Sequence, residues 1–430
     1  MILNEKPVIA DSLWTATANP APFCPPLTSE IDTDVVVIGG GYAGLSAALH
    51  LAEAGVAVTV LESETPGWGA SGRNGGQINP GLKTEPDQIE ADLGEDVGAR
   101  LVALSGMAAD LVFSLIDRHA IRCDAVRSGW IRAAHSGTAM ARLIDSAAQW
   151  RRRGAPVMVL DRAELAILMG SDAYVGGLVD QRGGNLHPLN YALGLADAAI
   201  AAGARVHGQS RAIELRDTGS AVVVLTQQGR VRARRALVCT NGYSGDLLPA
   251  IARTVVPVRS IQVATAPLPA ELADTILPGR QAPSDTRRML LYFRKDAANR
   301  FIMGGRGAYG DAATRRLLAA LRRSSLELFP QLGPARWQFA WGGFVAMTAD
   351  HYPHLNPVGD RIVAGLGFNG RGVAMATVMG RVMADWAQGV PSAELGIPLT
   401  PPRPIPFHAL RRLGAAAAIA RGQLMDLLES

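Results

Sequence analysis

The stretch that decides the fold is DVVVIGGGYAG, residues 34–44. A β-branched apolar run leads into glycines at 39, 41 and 44. A helical pattern follows to Ala54, and a second apolar run ends at Glu62. In such a strand–turn–helix–strand unit the first glycine allows the tight turn, the second lets the backbone approach a pyrophosphate, and the third allows close packing of helix and strand. The acidic side chain accepts hydrogen bonds from ribose hydroxyls. The pattern predicts a dinucleotide site, with a glycine-rich surface turn as the alternative.

The composition describes a globular chain. Of 430 residues, 48% are hydrophobic and 19% are charged, which excludes a disordered protein. The basic residues are scattered without interleaved aromatics, which disfavours nucleic-acid binding. Three cysteines (Cys24, Cys123 and Cys239) have no metal-ligand spacing and predict reduced thiols in a cytoplasmic protein. No apolar run reaches the ~18 residues of a membrane span, so none is expected. The sequence leaves the oligomeric state open.

A second glycine-rich segment, GWGASGRNGGQ, occupies residues 67–77. Its glycines allow close backbone approach to a ligand, and Ser71, Arg73 and Asn74 add polar groups that can reach phosphate. The alternative is a flexible linker, but tryptophan and arginine among the glycines favour a cofactor contact.

A third segment, GLGFNGRG at residues 365–372, follows a short strand and opens a predicted helix. It is formally a second nucleotide fingerprint and would make this a two-cofactor enzyme. However, prolines follow the helix, and no second strand ends in an acid. We therefore interpret it as a helix N-terminus directed at the far end of the first cofactor. The turn at residues 240–243 ends another predicted strand and is a further expected contact.

The stretches between these segments differ in the periodicity of their apolar residues. Residues 87–170 have mainly helical patterns, including one amphipathic helix across 97–119. Residues 255–344 alternate in the manner of an antiparallel sheet.

Three glycine-bearing segments need a longer ligand than one pyrophosphate. An extended FAD meets this need, with adenosine at residues 39–62 and isoalloxazine at the other two loops. The helix dipole at 370–373 would favour a reduced flavin.

These segments, together with WGGFVAMT at 341–348, resemble the D-amino acid oxidase-type (DAO) FAD-dependent oxidoreductases over residues 12–410. They are most similar to the γ-glutamylputrescine oxidase-like amine oxidases. The resemblance implies an α/β (α+β composite) fold with a Rossmann-like FAD-binding domain and an antiparallel-sheet substrate domain made of insertions. The predicted divisions are an arm at 1–31, an FAD-binding domain at 32–86, 182–250 and 357–395, a substrate domain at 87–181 and 251–356, and a C-terminal tail or helix at 396–430.

The resemblance also implies the reaction. The C–N bond of an amine or amino acid is oxidised by hydride transfer to flavin N5, the imine is hydrolysed, and O2 reoxidises the flavin to give H2O2. Since no cysteine lies near residues 365–372, FAD is expected to be non-covalent. The predicted FAD contacts, with Ala212 placed at the adenine by resemblance, are Gly39, Gly41, Tyr42, Ala43, Gly44, Glu62, Ser63, Gly69, Ala70, Ser71, Arg73, Asn74, Gly75, Gly76, Gln77, Ala212, Thr240, Asn241, Gly242, Gly367, Asn369, Gly370, Arg371, Gly372 and Val373.

Hydride transfer from a neutral amine needs positioning more than a strong acid or base. Arg294 could hold a substrate carboxylate or be a surface strand arginine, and Trp341 could be an aromatic wall or a core residue. His351 and His354 lack a third ligand, so no metal is predicted. The predicted substrate-site residues are Gln77, Tyr292, Arg294, Trp341, Met347 and His351.

Other functions also fit the sequence. Sarcosine-type oxidases use a lysine near the flavin for oxygen activation, and the equivalent strand at 300–304 has none, although Lys295 is nearby in sequence. A dehydrogenase that uses another electron acceptor is therefore an alternative. An FAD monooxygenase shares the first unit but would need NAD(P)H, and a non-catalytic flavin module has no supporting basic surface.

Overall fold

The computed structural model describes residues 12–429. The start of the predicted arm, residues 1–11, lies outside the described residues, as does Ser430. The helices are α1 (Leu13–Ala16), α2 (Tyr42–Glu53), α3 (Pro86–Leu93), α4 (Glu95–Gly106), α5 (Ala108–Arg118), α6 (Gly137–Arg152), α7 (Arg162–Met169), α8 (Pro188–Ala201), α9 (Pro249–Ala252), α10 (Ala270–Ala273), α11 (Asp311–Leu328), α12 (Gly372–Ala387) and α13 (Arg411–Leu428).

The strands form two eight-stranded sheets and one two-stranded sheet. They are β1 (Glu30–Ile38), β2 (Val58–Leu61), β3 (Gln77–Ile78), β4 (Trp130–Ala134), β5 (Val157–Asp161), β6 (Gly176–Asp180), β7 (Gly184–Asn185), β8 (Arg205–His207), β9 (Glu214–Asp217), β10 (Val222–Leu225), β11 (Arg230–Val238), β12 (Val256–Thr265), β13 (Ala282–Asp285), β14 (Tyr292–Lys295), β15 (Phe301–Arg306), β16 (Trp337–Met347), β17 (His354–Pro357) and β18 (Ile362–Leu366).

The first sheet has the order β17-β18-β11-β1-β2-β8. The five strands from β18 to β8 run parallel, whereas β17 pairs antiparallel at the edge and the β9–β10 hairpin pairs with β11. Since the parallel strands β1, β2, β11 and β18 end at the same edge, their following loops meet there. This is the Rossmann-like unit that the sequence predicted.

Glycines set the spacing of the layers around this sheet. A Cβ on Gly44 would lie 1.9 Å from the carbonyl oxygen of Gly39, so only glycine lets α2 start directly against the turn. A Cβ on Gly380 in α12 would lie 2.4 Å from the carbonyl oxygen of Ala43. Helices α2 and α12 therefore cross at backbone contact, and both N-termini reach the same edge of the sheet.

The second sheet has the order β16-β12-β15-β14-β13-β4-β6-β5. Its pairs are antiparallel except β13–β4, which is parallel. The first insertion contributes β4, β5 and β6, so it does more than cover the second insertion with helices. The mainly helical interpretation of residues 87–170 was wrong for β4 and β5, which are strands of only five residues each.

The single helix expected across residues 97–119 was also wrong. Helices α4 and α5 meet at Gly106 and Met107 with a bend of 41°. A Cβ on Gly106 would lie 3.2 Å from the Trp150 ring, so the chain turns where this ring packs against it. Within the described residues no single helix is both long and apolar enough to cross a membrane, although this bent pair meets the length and composition test together.

The strands of the first sheet come from three separated stretches of chain, and both insertions build the second sheet. This is the composite arrangement that the fold-class prediction describes. The residue boundaries of the two domains stay a prediction. Of the described arm, Trp14 is fully buried against Trp341, with ring centroids 5.6 Å apart.

Candidate active site

One cavity of about 1370 Å³ is lined by all three glycine-bearing segments. It begins at the β1–α2 turn, passes the loop at residues 67–77, and reaches the start of α12 and the second sheet. Single-ligand pockets are typically ~300–1,000 Å³. The cavity is therefore large enough for a dinucleotide together with a small substrate.

Glu62 closes the end of the cavity formed by the β1–α2 turn. Its Oε2 accepts from the backbone N–H of Gly40 at 2.6 Å, and its Oε1 accepts from that of Glu64 at 2.9 Å. Burial raises the pKa of this carboxyl, while the two N–H groups act in the opposite direction. The side chain is only 8% exposed, yet it lines the cavity, so its carboxylate is held rigidly at the surface that faces a ligand.

The loop at residues 67–77 is fastened to the start of α2. Ser71 Oγ accepts from the backbone N–H of Tyr42 at 3.0 Å, in place of the cap that Gly41 cannot supply. Asn74 Nδ2 donates to the hydroxyl of Tyr42 at 3.1 Å, and Asn74 Oδ1 accepts from the N–H of Gly76 at 2.8 Å. The first two glycine-bearing segments thus form one connected surface.

Buried side chains from elsewhere hold the carbonyl groups of this loop. Arg73 O accepts from Gln262 Nε2 at 2.7 Å and from Trp341 Nε1 at 3.0 Å. Asn74 O accepts from Trp14 Nε1 at 2.9 Å. Gly75 O accepts from Arg294 Nε at 2.5 Å. Three successive carbonyls are thereby turned away from the cavity.

This arrangement corrects the placement of Arg294 and Trp341. Arg294 is 2% exposed, and its other N–H groups donate to Leu186 O at 2.7 Å and Asn185 Oδ1 at 2.9 Å. Trp341 is fully buried. Neither lines the cavity, because the loop lies between them and it. His351 does not line it either: it is exposed, with a positive φ of 63°.

The other three predicted substrate-site residues, Gln77, Tyr292 and Met347, line the cavity. Gln77 Nε2 donates to the carbonyl of Pro283 at 2.7 Å. The hydroxyls of Tyr292 and Ser260 are 2.7 Å apart, and burial raises the pKa of Tyr292 to about 12. The phenol therefore stays neutral and fixed at the cavity wall.

Most of the predicted cofactor contacts also line the cavity. Gly44, Gly76, Gly242 and Gly367 do not, because they pack beneath its surface. The predicted contacts that do line it are Gly39, Gly41, Tyr42, Ala43, Glu62, Ser63, Gly69, Ala70, Ser71, Arg73, Asn74, Gly75, Gln77, Ala212, Thr240, Asn241, Asn369, Gly370, Arg371, Gly372 and Val373.

Three residues that line the cavity carry a buried polar atom without a hydrogen-bond partner within residues 12–429. The atoms are Oδ1 of Asn79, Oε1 of Gln262 and Nη1 of Arg371. The Arg371 guanidinium lies 4.3 Å from the ring centroid of Trp130. Buried polar groups are normally hydrogen-bonded. Unpaired acceptors and an unpaired donor in the cavity wall fit a polar ligand such as the edge of a flavin.

Sequence reasoning missed several charged residues of the site. The cavity is also lined by Lys83, Glu85, Arg132, Asp285, Arg287 and Arg306. These residues come from loops and strands without a motif, so their spacing carries no signal. The one available hint was Lys83, one of only three lysines in a chain with 39 arginines.

The chain belongs to the family of FAD-dependent oxidoreductases (DAO), whose family model matches residues 34–386. It is thus an enzyme with FAD as its cofactor, and the predicted class, an FAD-dependent oxidoreductase acting on CH–NH2 or CH–NH groups, is confirmed at the level of the family.

Two curated relatives cover most of the chain. The γ-glutamylputrescine oxidoreductase of Escherichia coli is 35% identical over 88% of this chain and 89% of its own length. The probable oxidoreductase OrdL of Haemophilus influenzae is 35% identical over 84% of both chains. The predicted resemblance is therefore confirmed.

Solved structures share the fold at lower identity. Glycine oxidase from Geobacillus kaustophilus superposes with a TM-score of 0.69 at 22% identity, over 83% of this chain and 95% of its own. L-amino acid deaminase from Proteus myxofaciens has a TM-score of 0.72 at 16% identity, over 91% and 97%. These likenesses confirm the fold class.

Proposed function

We propose that this enzyme oxidises the C–N bond of a small amine or amino acid and passes the electrons to bound FAD. The observation that carries the proposal is the single cavity shared by the three glycine-bearing segments and the wall of the second sheet. Cofactor and substrate would lie in one continuous space. The named relative that acts on γ-glutamylputrescine supports an amine as the class of substrate.

We assign the β1–α2 turn and Glu62 to the adenosine and pyrophosphate. The N-terminus of α2 offers backbone N–H groups and a positive dipole end to phosphate, and Glu62 is the acceptor for ribose hydroxyls. Residues 75–77 and 369–373 would flank the redox ring. Among the three cysteines, Cys239 lines the cavity but lies at the end of β11, opposite the first turn. Its pKa is raised to about 12 by burial, so non-covalent FAD is expected.

The second sheet would position the substrate. When bound, FAD supplies the acceptor for a hydride from the carbon that bears the amine, and water then hydrolyses the imine. Tyr292 and Met347 form the wall beside Gln77. A partly desolvated wall disfavours a charged ammonium. It therefore favours the neutral amine, which can release the hydride.

The final electron acceptor is a separate question. We propose O2, with a dehydrogenase that uses another carrier as the second candidate. Lys295 does not line the cavity: it is 2% exposed, and its Nζ donates to the carbonyl of Ala273. It is therefore not placed to assist oxygen at the flavin. Comparing aerobic reoxidation with reoxidation by an artificial quinone would separate the two candidates.

The test of the reaction is anaerobic. Purified, FAD-loaded protein is mixed with γ-glutamylputrescine, N-methyl amino acids or D-amino acids, without NAD(P)H. The proposal expects at least one amine to bleach the flavin absorbance and to yield the matching carbonyl product. Bleaching by NAD(P)H alone, with none by any amine, would contradict it and favour a monooxygenase.

A further inference from the structure

The outward face of α13 is apolar although it is exposed to water. Five large apolar side chains on α13 or just before it are 57–84% exposed: Phe407, Leu410, Leu413, Leu424 and Leu428. Ala417 and Ala420 are exposed between them. From Leu410 to Leu428 these residues are three or four positions apart, which is the spacing of one helix face. Single exposed leucines are normal, but an aligned row marks an interaction surface. We call this row the apolar stripe.

The opposite face of α13 is attached to the second sheet, so the apolar stripe has a fixed direction. Before the helix, His408 Nε2 lies 2.8 Å from the carbonyl oxygen of Val255. Near the end of the helix, the carboxylate of Asp426 accepts from two backbone N–H groups of the β13–β14 turn, each at 2.9 Å. Gly422 is buried, and a Cβ there would lie 3.5 Å from the Cβ of Arg288. The stripe therefore points away from the protein.

The charges around the apolar stripe have one sign. Residues 395–425 contain four arginines and no aspartate or glutamate. Arg421 is exposed three residues before Leu424, a spacing that makes the two side chains neighbours on the helix surface. Arg403 is exposed in the segment that leads to the helix. A negatively charged surface is therefore complementary to this face.

The acidic residues that follow this stretch hold the helix in place. Glu429 pairs with Arg142 at 3.2 Å and with Arg288. Both arginines also line the cavity, so α13 is attached to the cavity wall. Asp426 and Glu429 are thus engaged with the body of the protein and do not balance the arginines beside the stripe.

We propose that this face of α13 docks on an anionic membrane surface. The apolar stripe would lie at the boundary between headgroups and acyl chains, with Arg403 and Arg421 at the headgroups. An amphipathic helix with a basic polar side has this mode of binding. The 18 residues of α13 span about 27 Å and lie along the surface without crossing it. The matched family model ends at residue 386, before this helix, and the inference does not depend on the proposed oxidation.

A second copy of the chain fits this face less well. Two stripes packed together would bring the arginines of both helices close to one another. Paired helices usually place opposite charges at the positions that flank their apolar seam. The sequence of α13 has no acidic residue before Asp426 to fill such positions.

The test is flotation of the full-length, FAD-loaded protein with two kinds of vesicle. One kind is phosphatidylcholine alone, and the other is an equimolar mixture of phosphatidylcholine and phosphatidylglycerol. We expect binding to the anionic vesicles to be at least about tenfold stronger and to weaken as the salt concentration rises. Equal binding to both kinds of vesicle, or binding to neither, would overturn the inference.

Variants of the stripe separate its apolar and charged contributions. Leu413→Gln and Leu424→Gln together should weaken binding to the anionic vesicles by more than about tenfold, because each buried leucine changes an equilibrium constant by about that factor. Arg421→Gln should weaken it about fivefold, the effect of one charge at an anionic surface. Arg421→Lys should retain the affinity. Unchanged binding in the double leucine variant would contradict the assignment of this face.

Ile167→Gln is the matched control. Ile167 is 81% exposed on α7 and should not contribute to binding. A loss equal to that of the double leucine variant would mean non-specific adsorption and would overturn the inference. Since all of these side chains are exposed, the variants should keep their flavin content and thermal stability. Sedimentation velocity without lipid tests the other occupant: a dimer that the double leucine variant dissociates, in a protein that binds no vesicle, would assign the face to a second copy.

Discussion

Arg294 lies behind the cavity wall and holds the backbone of the loop that forms this wall. Its guanidinium holds the carbonyls of Gly75 and Leu186 and the side chain of Asn185. It is also stacked 4.9 Å from the ring centroid of Trp14. Arg294 thus connects the loop at residues 67–77, the strand before α8 and the N-terminal arm. It is therefore a positioning residue for that loop.

Arg294→Met should destabilise the protein and loosen FAD. It leaves buried acceptors without donors, at about 1–3 kcal/mol for each unsatisfied group. Thermal unfolding and FAD titration would measure the loss. Arg230→Met is the control, because Arg230 is paired with Glu30 on the exposed surface, where such pairs contribute about 0–1 kcal/mol. Equal effects of the two substitutions would contradict the positioning role.

Glu62 gives a prediction of pH dependence. Because burial raises its pKa, this carboxyl takes up a proton at a higher pH than an exposed glutamate does. The ionised form is the better acceptor for ribose hydroxyls. FAD affinity should therefore be full above this pKa and fall as the pH drops through it. In Glu62→Gln the affinity should be weaker and nearly independent of pH in the same range, as measured by fluorescence titration. A parallel pH profile in both proteins would refute the assignment.

Tyr292 should affect the reaction more than the cofactor. Tyr292→Phe removes the hydroxyl that bonds Ser260, while the ring still packs against Gly304. We expect flavin reduction by the amine to slow by about tenfold, the effect of one lost positioning hydrogen bond. FAD content should be unchanged. Ser260→Ala should give a similar loss from the other side of the bond. Lost FAD with normal reduction in the remaining holoenzyme would contradict this role.

The sequence could place Arg294 and Trp341 on the correct face of their strands but not at the correct depth. Arg294 lies two residues from Tyr292 on β14 and so shares its face. Trp341 shares a face of β16 with Gly343, Val345 and Met347. Alternation gives the face. Whether a loop covers that face depends on residues more than two hundred positions away, as the Arg73–Trp341 hydrogen bond shows. No local pattern carries that information.

At the level of elements, the crossing of α2 and α12 brings two helix N-termini to the cavity. Gly380→Ala should destabilise the protein by about 1–3 kcal/mol, because its Cβ would overlap backbone atoms of Ala43 and Ala47. FAD affinity should fall as the two helices separate. Gly414→Ala in α13 is the control, since nothing lies within 4 Å of its Cβ. It should be neutral or stabilise the protein by up to ~1 kcal/mol. Chemical denaturation would measure both changes.

The elements of the nucleotide unit were predictable because periodicity, turn glycines and a terminal acid all agree there. The elements of the first insertion were less so. Strands β4 and β5 are five residues each, a length at which an apolar run fits a helix or a strand equally well. Their pairing partners lie in another strand of the insertion and in β13, which the local sequence cannot reveal.

At the scale of the whole molecule, the cavity joins a parallel sheet that would hold the cofactor to a mostly antiparallel sheet that would hold the substrate. The meeting of three distant glycine segments was predictable from chemistry, since each needed a ligand and one extended dinucleotide could satisfy all three. The positive charge at the α12 end of the cavity was not predictable, because Lys83, Arg306 and Arg371 come from distant stretches of chain and line one cavity only in the folded protein.

The most direct measurement is a crystal structure of the protein with FAD bound. We expect the adenosine ribose at Glu62, the pyrophosphate at the start of α2, and the redox ring between residues 75–77 and the start of α12, facing Tyr292. A flavin whose ring points away from the second sheet, or a cofactor that leaves the α12 end of the cavity untouched, would contradict this placement.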